Sequence, residues 1–166
     1  MYDSVTDTWD NDTVPRCKDG DRFYGASLYL NGYIYVYGGQ SLHDSPYYDT
    51  IERWNTKDPT AVWHYINVKG AKLGAVQDPL MTVLNETEIV IMHDDDDKNI
   101  TFVLNIKTDE CKIVTQEEPS LHFKNCQSAQ IGPNRIVALV NCWNQTLIGW
   151  KKGDQKITTI KQFGKR

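Results

Sequence analysis

The sequence predicts an all-β fold built from four-stranded antiparallel meanders, and two observations carry that prediction. Residues typical of pleated, half-buried surfaces are plentiful, with 9 Tyr and 5 Trp among 166 residues. Short apolar runs also alternate with clusters of Gly, Pro, Asn and Asp, as strands do with turns. The runs, in order, are ASLYL, YIYVYGG, MTVL, EIVIM, ITFVLNI, CKIVT, RIVALV, TLIGW and KITTI.

A repeat of about 50 residues organises these strands. An apolar anchor, a polar turn and a second apolar anchor recur four times, with first anchors at positions 2, 54, 104 and 150. The pairs are Tyr2 with Trp9, Trp54 with Trp63, Leu104 with Cys111, and Trp150 with Ile157. A strand that follows an Asn-containing turn recurs at Ile34, Ile89 and Ile136 with a similar period. Two features with one period predict a repeated unit of four strands.

The best-formed unit is similar to a known family. The segment RFYGASLYLNGYIYVYGGQ, followed by YYDTIERWNTKDPTAVW, resembles a kelch repeat, in which a tyrosine-containing second strand ends at Gly38-Gly39. The resemblance implies a β-propeller, whose blades are such meanders around a central axis. We expect the two glycines to allow a backbone turn and close packing between blades. The later units have His93-Asp94 and Asn141-Cys142 at that position.

The repeat divides the chain into a single partial propeller domain, 1–166. We expect 1–14 to be the outer strand pair of a first blade, followed by blades at 22–68, 71–117 and 121–163. Propellers have about 4 to 8 blades, so this count predicts a ring that is incomplete within the chain. Our hypothesis is that the chain is the C-terminal part of a longer propeller, or that another chain completes the ring. The alternative is an unrelated β-sandwich with evenly spaced hairpins.

Composition and motifs limit the function. With 18 Lys+Arg against 22 Asp+Glu, the net charge of −4 argues against nucleic-acid binding, and no apolar run reaches the length of a membrane span. No nucleophile, zinc-protease or P-loop motif is present, so we expect no enzyme activity, catalytic residue or cofactor. The run Asp94–Asp97 follows His93, but four adjacent carboxylates cannot all converge on one cation, so we expect no metal site.

The predicted function is therefore non-catalytic protein–protein interaction. Loops after the second strand of each unit would share one face of the propeller, so His43 and Asp44 would lie on the same face as the acidic run, which we expect to form a loop at 93–99. The predicted partner contacts are Tyr47, Tyr48, Asp94, Asp95, Asp96 and Asp97. The alternatives are a structural subunit that packs through blade edges, an extracellular glycosylated kelch protein and, as a weaker one, a hydrolase or oxidase built on the propeller.

Cysteines and sequons leave the compartment open. Cys126 and Cys142 are equidistant from position 134, so they would lie opposite each other in a hairpin that turns at Pro133-Asn134. They form either a disulfide, which needs an oxidising compartment, or two buried thiols. Four N-x-S/T sequons fall on predicted turns, at Asn11, Asn85, Asn99 and Asn144. An intracellular location is slightly favoured over an extracellular one.

Overall fold

The computed structural model of the chain describes residues 2–3, 6, 8–9, 16–41, 46–58, 60–95, 98–117, 127–140 and 146–163. These residues form strands, turns and connections, as predicted from the turn-bounded apolar runs. The strands are β1 (Tyr2–Asp3), β2 (Thr8–Trp9), β3 (Ala26–Leu30), β4 (Tyr33–Tyr37), β5 (Ile51–Asn55), β6 (His64–Tyr65), β7 (Lys69–Gly70), β8 (Leu80–Asn85), β9 (Glu88–Asp95), β10 (Lys98–Asn105), β11 (Glu110–Glu117), β12 (Gln127–Gly132), β13 (Arg135–Val140), β14 (Thr146–Lys151) and β15 (Thr158–Gln162).

The strands form a two-stranded ribbon and three larger sheets. β1 and β2 pair as the ribbon, β3–β6 form the first sheet, β7–β11 the second and β12–β15 the third. Within each larger sheet, consecutive strands pair in antiparallel fashion to form a meander. The meander begins at β3 in the first sheet, at β8 in the second and at β12 in the third. The predicted meander is therefore confirmed. The division into blades at 22–68, 71–117 and 121–163 remains a prediction.

The second sheet has five strands, because it gains a short one from the connection that leads into it. Lys69 and Gly70, which follow the first sheet in the chain, pair in parallel with Glu110 and Cys111 on the outer strand β11. Gly70 has φ +87°, and a Cβ there would lie 2.5 Å from the carbonyl oxygen of Cys111. A side chain at this position is thus incompatible with the pairing.

The second sheet lies between the other two and is buried on both faces. Ile89 and Ile91 of β9 belong to a core shared with the first sheet, whereas Val90 and Met92 belong to a core shared with the third. Side chains alternate between the two faces of a strand. A strand covered on both sides must therefore be apolar at every position, which explains the uninterrupted run IVIM.

Connections lie at two ends of the sheets, the turn end and the loop end. The turn end carries the connections of the first strand to the second and of the third to the fourth in each meander. The loop end carries the connections of the second strand to the third and the linkers between sheets. First strands of successive sheets contact each other, because β8 lies against both β3 and β12. Over the described residues the ring is not closed, and no helix there is long and apolar enough to span a bilayer.

The two glycines at the end of β4 have the role expected from the sequence. Gly38 has φ +67°, and a Cβ there would lie 2.9 Å from the carbonyl oxygen of Val76, on the linker to the second sheet. Gly39 has φ +85°, and its Cβ would lie 2.6 Å from the carbonyl oxygen of Phe23. Both the backbone conformation and the close approach of neighbouring backbone require glycine. The expected backbone turn is confirmed, and the close approach is to the linker at Gly38 and to the segment that enters the first sheet at Gly39.

Candidate partner-binding surface at the loop end

Three backbone segments meet at the loop end of the first sheet. The Gly39 amide donates to the carbonyl of Val76 at 2.8 Å, Val76 donates to Tyr48 at 3.4 Å, and Tyr48 donates to Gly39 at 2.8 Å. These bonds join the end of β4, the connection from β4 to β5, and the linker to the second sheet. The junction holds the loop-end backbone in one arrangement, so its side chains are presented on a rigid support.

A buried ion-pair network lies beneath this junction. The Arg22 guanidinium, almost fully buried, contacts the carboxylate of Glu52 at 2.5 Å and that of Asp19 at 2.8 Å. It also donates to the carbonyl oxygens of Gly38 at 3.1 Å and Thr50 at 3.2 Å. A buried charge is tolerated only when it is paired and hydrogen-bonded. Arg22 therefore ties the segment that enters the first sheet to strand β5 and to the glycine turn.

The two predicted tyrosine contacts occupy different environments. Tyr48 is half-buried: its ring lies 4.6 Å from the Arg22 guanidinium, and its hydroxyl donates to the carbonyl oxygen of Asp19 at 2.8 Å. Tyr47 is 44% exposed. Tyr48 thus supports the network, and Tyr47 presents an aromatic surface to the surroundings.

A cleft of about 240 Å³ lies close to Tyr47 in the chain, between the outer half of the first sheet and the linker. Buried apolar side chains form its floor, and the exposed Asp49 and Lys72 contribute one charge of each sign. The remaining lining residues are Thr50, Ile51, Tyr65, Ile66, Val68 and Leu73. An apolar floor with a charged rim can hold one large aliphatic side chain and orient the polar groups beside it.

Residues 93–95 and 98–99 lie in strands rather than in the loop expected at 93–99, so the predicted range of this loop is wrong. Strand β9 continues to Asp95 and β10 begins at Lys98, with Lys98 paired to Asp95 and Asn99 paired to Asp94. Asp94 is a half-buried strand residue. The side chain of Asp95 and residues 96–97, which are the predicted contacts Asp96 and Asp97, lie outside the described residues.

His93 is part of the core rather than of a loop. Its side chain is 2% exposed, and its ring stacks on Phe102 with centroids 5.2 Å apart and lies 6.5 Å from the ring of Tyr37. The strand continues past His93, whose ring packs against the aromatic rings of Phe102 and Tyr37. Within the described ranges, no group of three or more His, Cys, Asp or Glu side chains is arranged to hold a metal ion. His43 and Asp44 lie outside those ranges.

The structure describes two of the four predicted glycosylation sites. Asn99 was expected on a turn, but it lies in strand β10 and is 1% exposed, which leaves no room for a glycan in this fold. Asn85 ends β8, and its amide nitrogen donates to Glu88 at 2.6 Å and to Asn134 at 2.9 Å. Asn11 and Asn144 lie outside the described residues, where glycosylation remains a prediction.

The predicted disulfide cysteines also lie outside the described residues, so a Cys126–Cys142 bond remains a prediction. The hairpin turn at residues 133–134 is confirmed. Strand β12, which precedes the turn, has a register shift between Gln130 and Gly132, and at its far end Gln127 pairs with Leu139. Cys17 and Cys111 are free thiols. Burial raises the pKa of Cys111 to about 11 and also raises that of Cys17, so neither thiol is activated for nucleophilic chemistry.

Sequence reasoning missed the residues that organise this surface, namely Arg22, Glu52 and Asp19. One signal could have found two of them. Glu52 interrupts a strand of large side chains, IERW, and DRF places a lone arginine just before the first strand. A charge at a strand position that should be buried calls for a partner of opposite sign.

The comparisons place the chain among known folds. The Kelch motif matches residues 21–67, which contain the first sheet and the glycine turn. No curated protein sequence matches the chain. A solved structure described as "Structure of YjhT" is similar to 87% of this chain at 10% identity with a TM-score of 0.65, and the match covers 53% of that protein. The chain therefore spans about half the length of that protein. The chain therefore has an all-β, kelch-like propeller fold, and its Kelch motif forms the first sheet.

Proposed function

We propose that the chain is a protein-interaction module, without chemistry of its own, that binds a partner at the loop end of the first sheet. The observation that carries this proposal is the cleft between the first sheet and the linker, with its apolar floor and its Asp49 and Lys72 rim, and the exposed Tyr47 lies two residues before Asp49 in the chain. Kelch propellers commonly serve protein interactions, which agrees with this assignment.

The arrangement resembles the centre of a protein interface. Binding energy is concentrated in a few well-packed pockets, often beside an aromatic residue, and a polar rim sets register. The junction of Gly39, Tyr48 and Val76 keeps the surface in place before binding, so little conformational entropy is lost on association. The partner would insert an aliphatic side chain and match both rim charges. Asp94–Asp97 would extend the contact with carboxylates that favour basic segments and make binding sensitive to salt.

The test compares variants of the full chain in proximity labelling with quantitative mass spectrometry. Asp49→Lys and Lys72→Glu reverse one rim charge each, and Tyr47→Ala removes the aromatic surface. The matched control is Asp58→Lys, an exposed charge at the turn end. We expect the three loop-end variants to lose the same set of partners by about tenfold, whereas the control keeps them. Retention of every partner by all three variants would refute the proposal.

A second candidate, a structural subunit that packs through a blade face, has its own supporting observation. The face of the third sheet turned away from the second exposes Ile131 and Ile160, and a cleft of about 180 Å³ there is lined by Val137 and Gly149 among others. Side chains of this sheet alternate between two faces, as they do in β9. The exposed apolar groups on the outer face suit it to packing against another blade, from a longer chain or from a second chain.

Light scattering over a range of concentrations tests this candidate. We expect the chain to self-associate through this face and Ile160→Lys to abolish the association. Ile113→Lys, at a similarly exposed aliphatic position on the second sheet, should leave the association unchanged. A chain that stays monomeric at every concentration, with and without the substitution, would contradict the packing role.

A further inference from the structure

The turn ends of the three sheets are joined by side-chain amides. Asn31 of the first sheet donates to the carbonyl oxygen of Glu86 at 2.5 Å, and Asn85 of the second donates to the side-chain oxygen of Asn134 at 2.9 Å. Gln130 of the third sheet donates back to the carbonyl oxygen of Leu84 at 2.8 Å. Each bond crosses from one sheet to the next, so the first strands are held in fixed relative positions.

A cleft of about 530 Å³ opens between these turns, at the opposite end of the sheets from the loop-end surface. All three sheets contribute to its walls. Apolar groups come from Leu30, Val83 and Pro133, and polar groups come from Asn85, Glu86, Gln130 and Gly132. The volume lies within the roughly 300–1,000 Å³ range of small-ligand and peptide sites. Because the polar amides in the wall are fixed by the bonds between sheets, the cleft is preorganised.

Among the residues that the structure describes, one carboxylate in this wall has no ion-pair partner. The neighbouring Glu88 is paired with Lys152, whose ammonium group contacts it at 2.5 Å. The side chain of Lys57 lies across Gly32. Glu86 is exposed, and among the residues that the structure describes it forms no ion pair. A carboxylate beside apolar surface favours a ligand that combines a cation with an aliphatic stem.

We propose that this turn-end cleft binds an arginine side chain of a protein partner. The methylene groups of the arginine lie on Leu30, Val83 and Pro133, and the guanidinium pairs with the carboxylate of Glu86. A guanidinium is preferred over an ammonium because its planar fork matches a carboxylate with two hydrogen bonds. This site is independent of the loop-end surface, since it uses different residues at the other end of the sheets.

The experiment titrates the full, isotope-labelled chain with three blocked peptides, Gly-Arg-Gly, Gly-citrulline-Gly and Gly-Leu-Gly, and follows backbone amide shifts by NMR. Citrulline has the shape of arginine without its charge. We expect saturable shifts with the arginine peptide at Val83, Asn85 and Gln130, weakened by raised salt. Citrulline should bind about two- to fivefold more weakly, and leucine more weakly still.

The same titration on two variants isolates the carboxylate. Glu86→Gln keeps the shape of the wall and should weaken arginine binding about two- to fivefold, to the level of citrulline. Glu110→Gln, an exposed carboxylate at the start of β11 and outside the cleft, should bind like the unmodified chain. Equal binding of arginine and citrulline, equal binding by Glu86→Gln, or shifts that avoid the lining residues would each overturn the proposal.

Discussion

The first and second sheets differ at one equivalent position, the end of the second strand of each meander. In the first sheet Gly38 and Gly39 have positive φ and end the strand, and a long connection follows before β5. In the second sheet His93 and Asp94 continue the strand to Asp95, and β10 begins three residues later.

The difference shows how the glycines act. At Gly38 and Gly39 neighbouring backbone approaches so closely that no Cβ fits. At the equivalent place in the second sheet, the His93 ring fills the space against Phe102. In the second sheet, which lacks the two glycines, side-chain packing thus takes the place of the backbone junction. The connection between β9 and β10 is short because the glycine turn does not interrupt the strand. The first sheet therefore has a glycine-based backbone junction at this position, where the second sheet has a longer strand.

The largest effect is expected from the network beneath the junction. Glu52→Ala leaves the Arg22 guanidinium buried without its closest carboxylate, so the free energy of unfolding should fall by about 3–5 kcal/mol. Lys152→Ala breaks the exposed pair with Glu88 between the second and third sheets, where the lysine is 46% exposed, and should cost under about 1 kcal/mol. Urea unfolding of both variants measures the difference. If the two variants lost equal free energy of unfolding, the buried network would contribute no more to stability than the exposed pair.

The next effect concerns the glycine turn itself. Gly39→Ala combines a positive φ with a clash against the backbone of Phe23 and Gly25, and should cost about 3 kcal/mol. Gly20→Ala is the matched control, because its φ of +86° is nearly the same and nothing lies within 4 Å of the added Cβ. We expect it to cost about 1 kcal/mol. Thermal or urea unfolding separates the two, and similar losses would assign the whole effect to backbone conformation.

A smaller effect is expected at the histidine that replaces the glycines. His93→Ala removes a buried ring that packs on Phe102, and should lower the free energy of unfolding by about 2 kcal/mol through the cavity it leaves. His64→Ala, at an exposed position in β6, should stay within about 0.5 kcal/mol of the unmodified chain. If both substitutions were neutral, the imidazole would not be the group that fills this site.

The smallest effect is a change in titration beside the network. The hydrogen bond from the Tyr65 hydroxyl to Asp19 raises the pKa of Tyr65 to about 12, from an ordinary value of 10. The folded state therefore holds this proton more tightly than the unfolded state. The resulting stability is present below pH 10 and is lost as the pH rises from about 10 to about 12. The absorbance titration of phenolate, minus that of Tyr65→Phe, should show one group ionising near pH 12; ionisation near pH 10 would contradict the bond.

Much of the fold was predictable from local pattern. The 50-residue period gave the meanders, and the glycine pair gave the turn, because both depend on the preferences of a few adjacent residues. The loop at 93–99 was predicted wrongly, because aspartates favour turns locally whereas the pairing of β9 with β10 extends the strands past His93. The site was predicted only in part. Tyr47 is exposed as expected. Lys72 lies at the rim of the cleft and Arg22 lies in the buried network because distant chain segments pack together there, and no local sequence pattern predicts that proximity.

By itself the sequence determined the strands, their turns and the need for glycine at Gly38 and Gly39, since these follow from backbone conformation and side-chain alternation. Only the tertiary structure decided which faces are covered. The run IVIM makes β9 apolar on both faces, but tertiary packing decided that the first sheet covers one face and the third sheet the other. Tertiary packing likewise decided which charges are paired. Glu52 is buried against Arg22 and Glu86 is left open at the turn end, because ion pairs depend on distances between segments far apart in the chain.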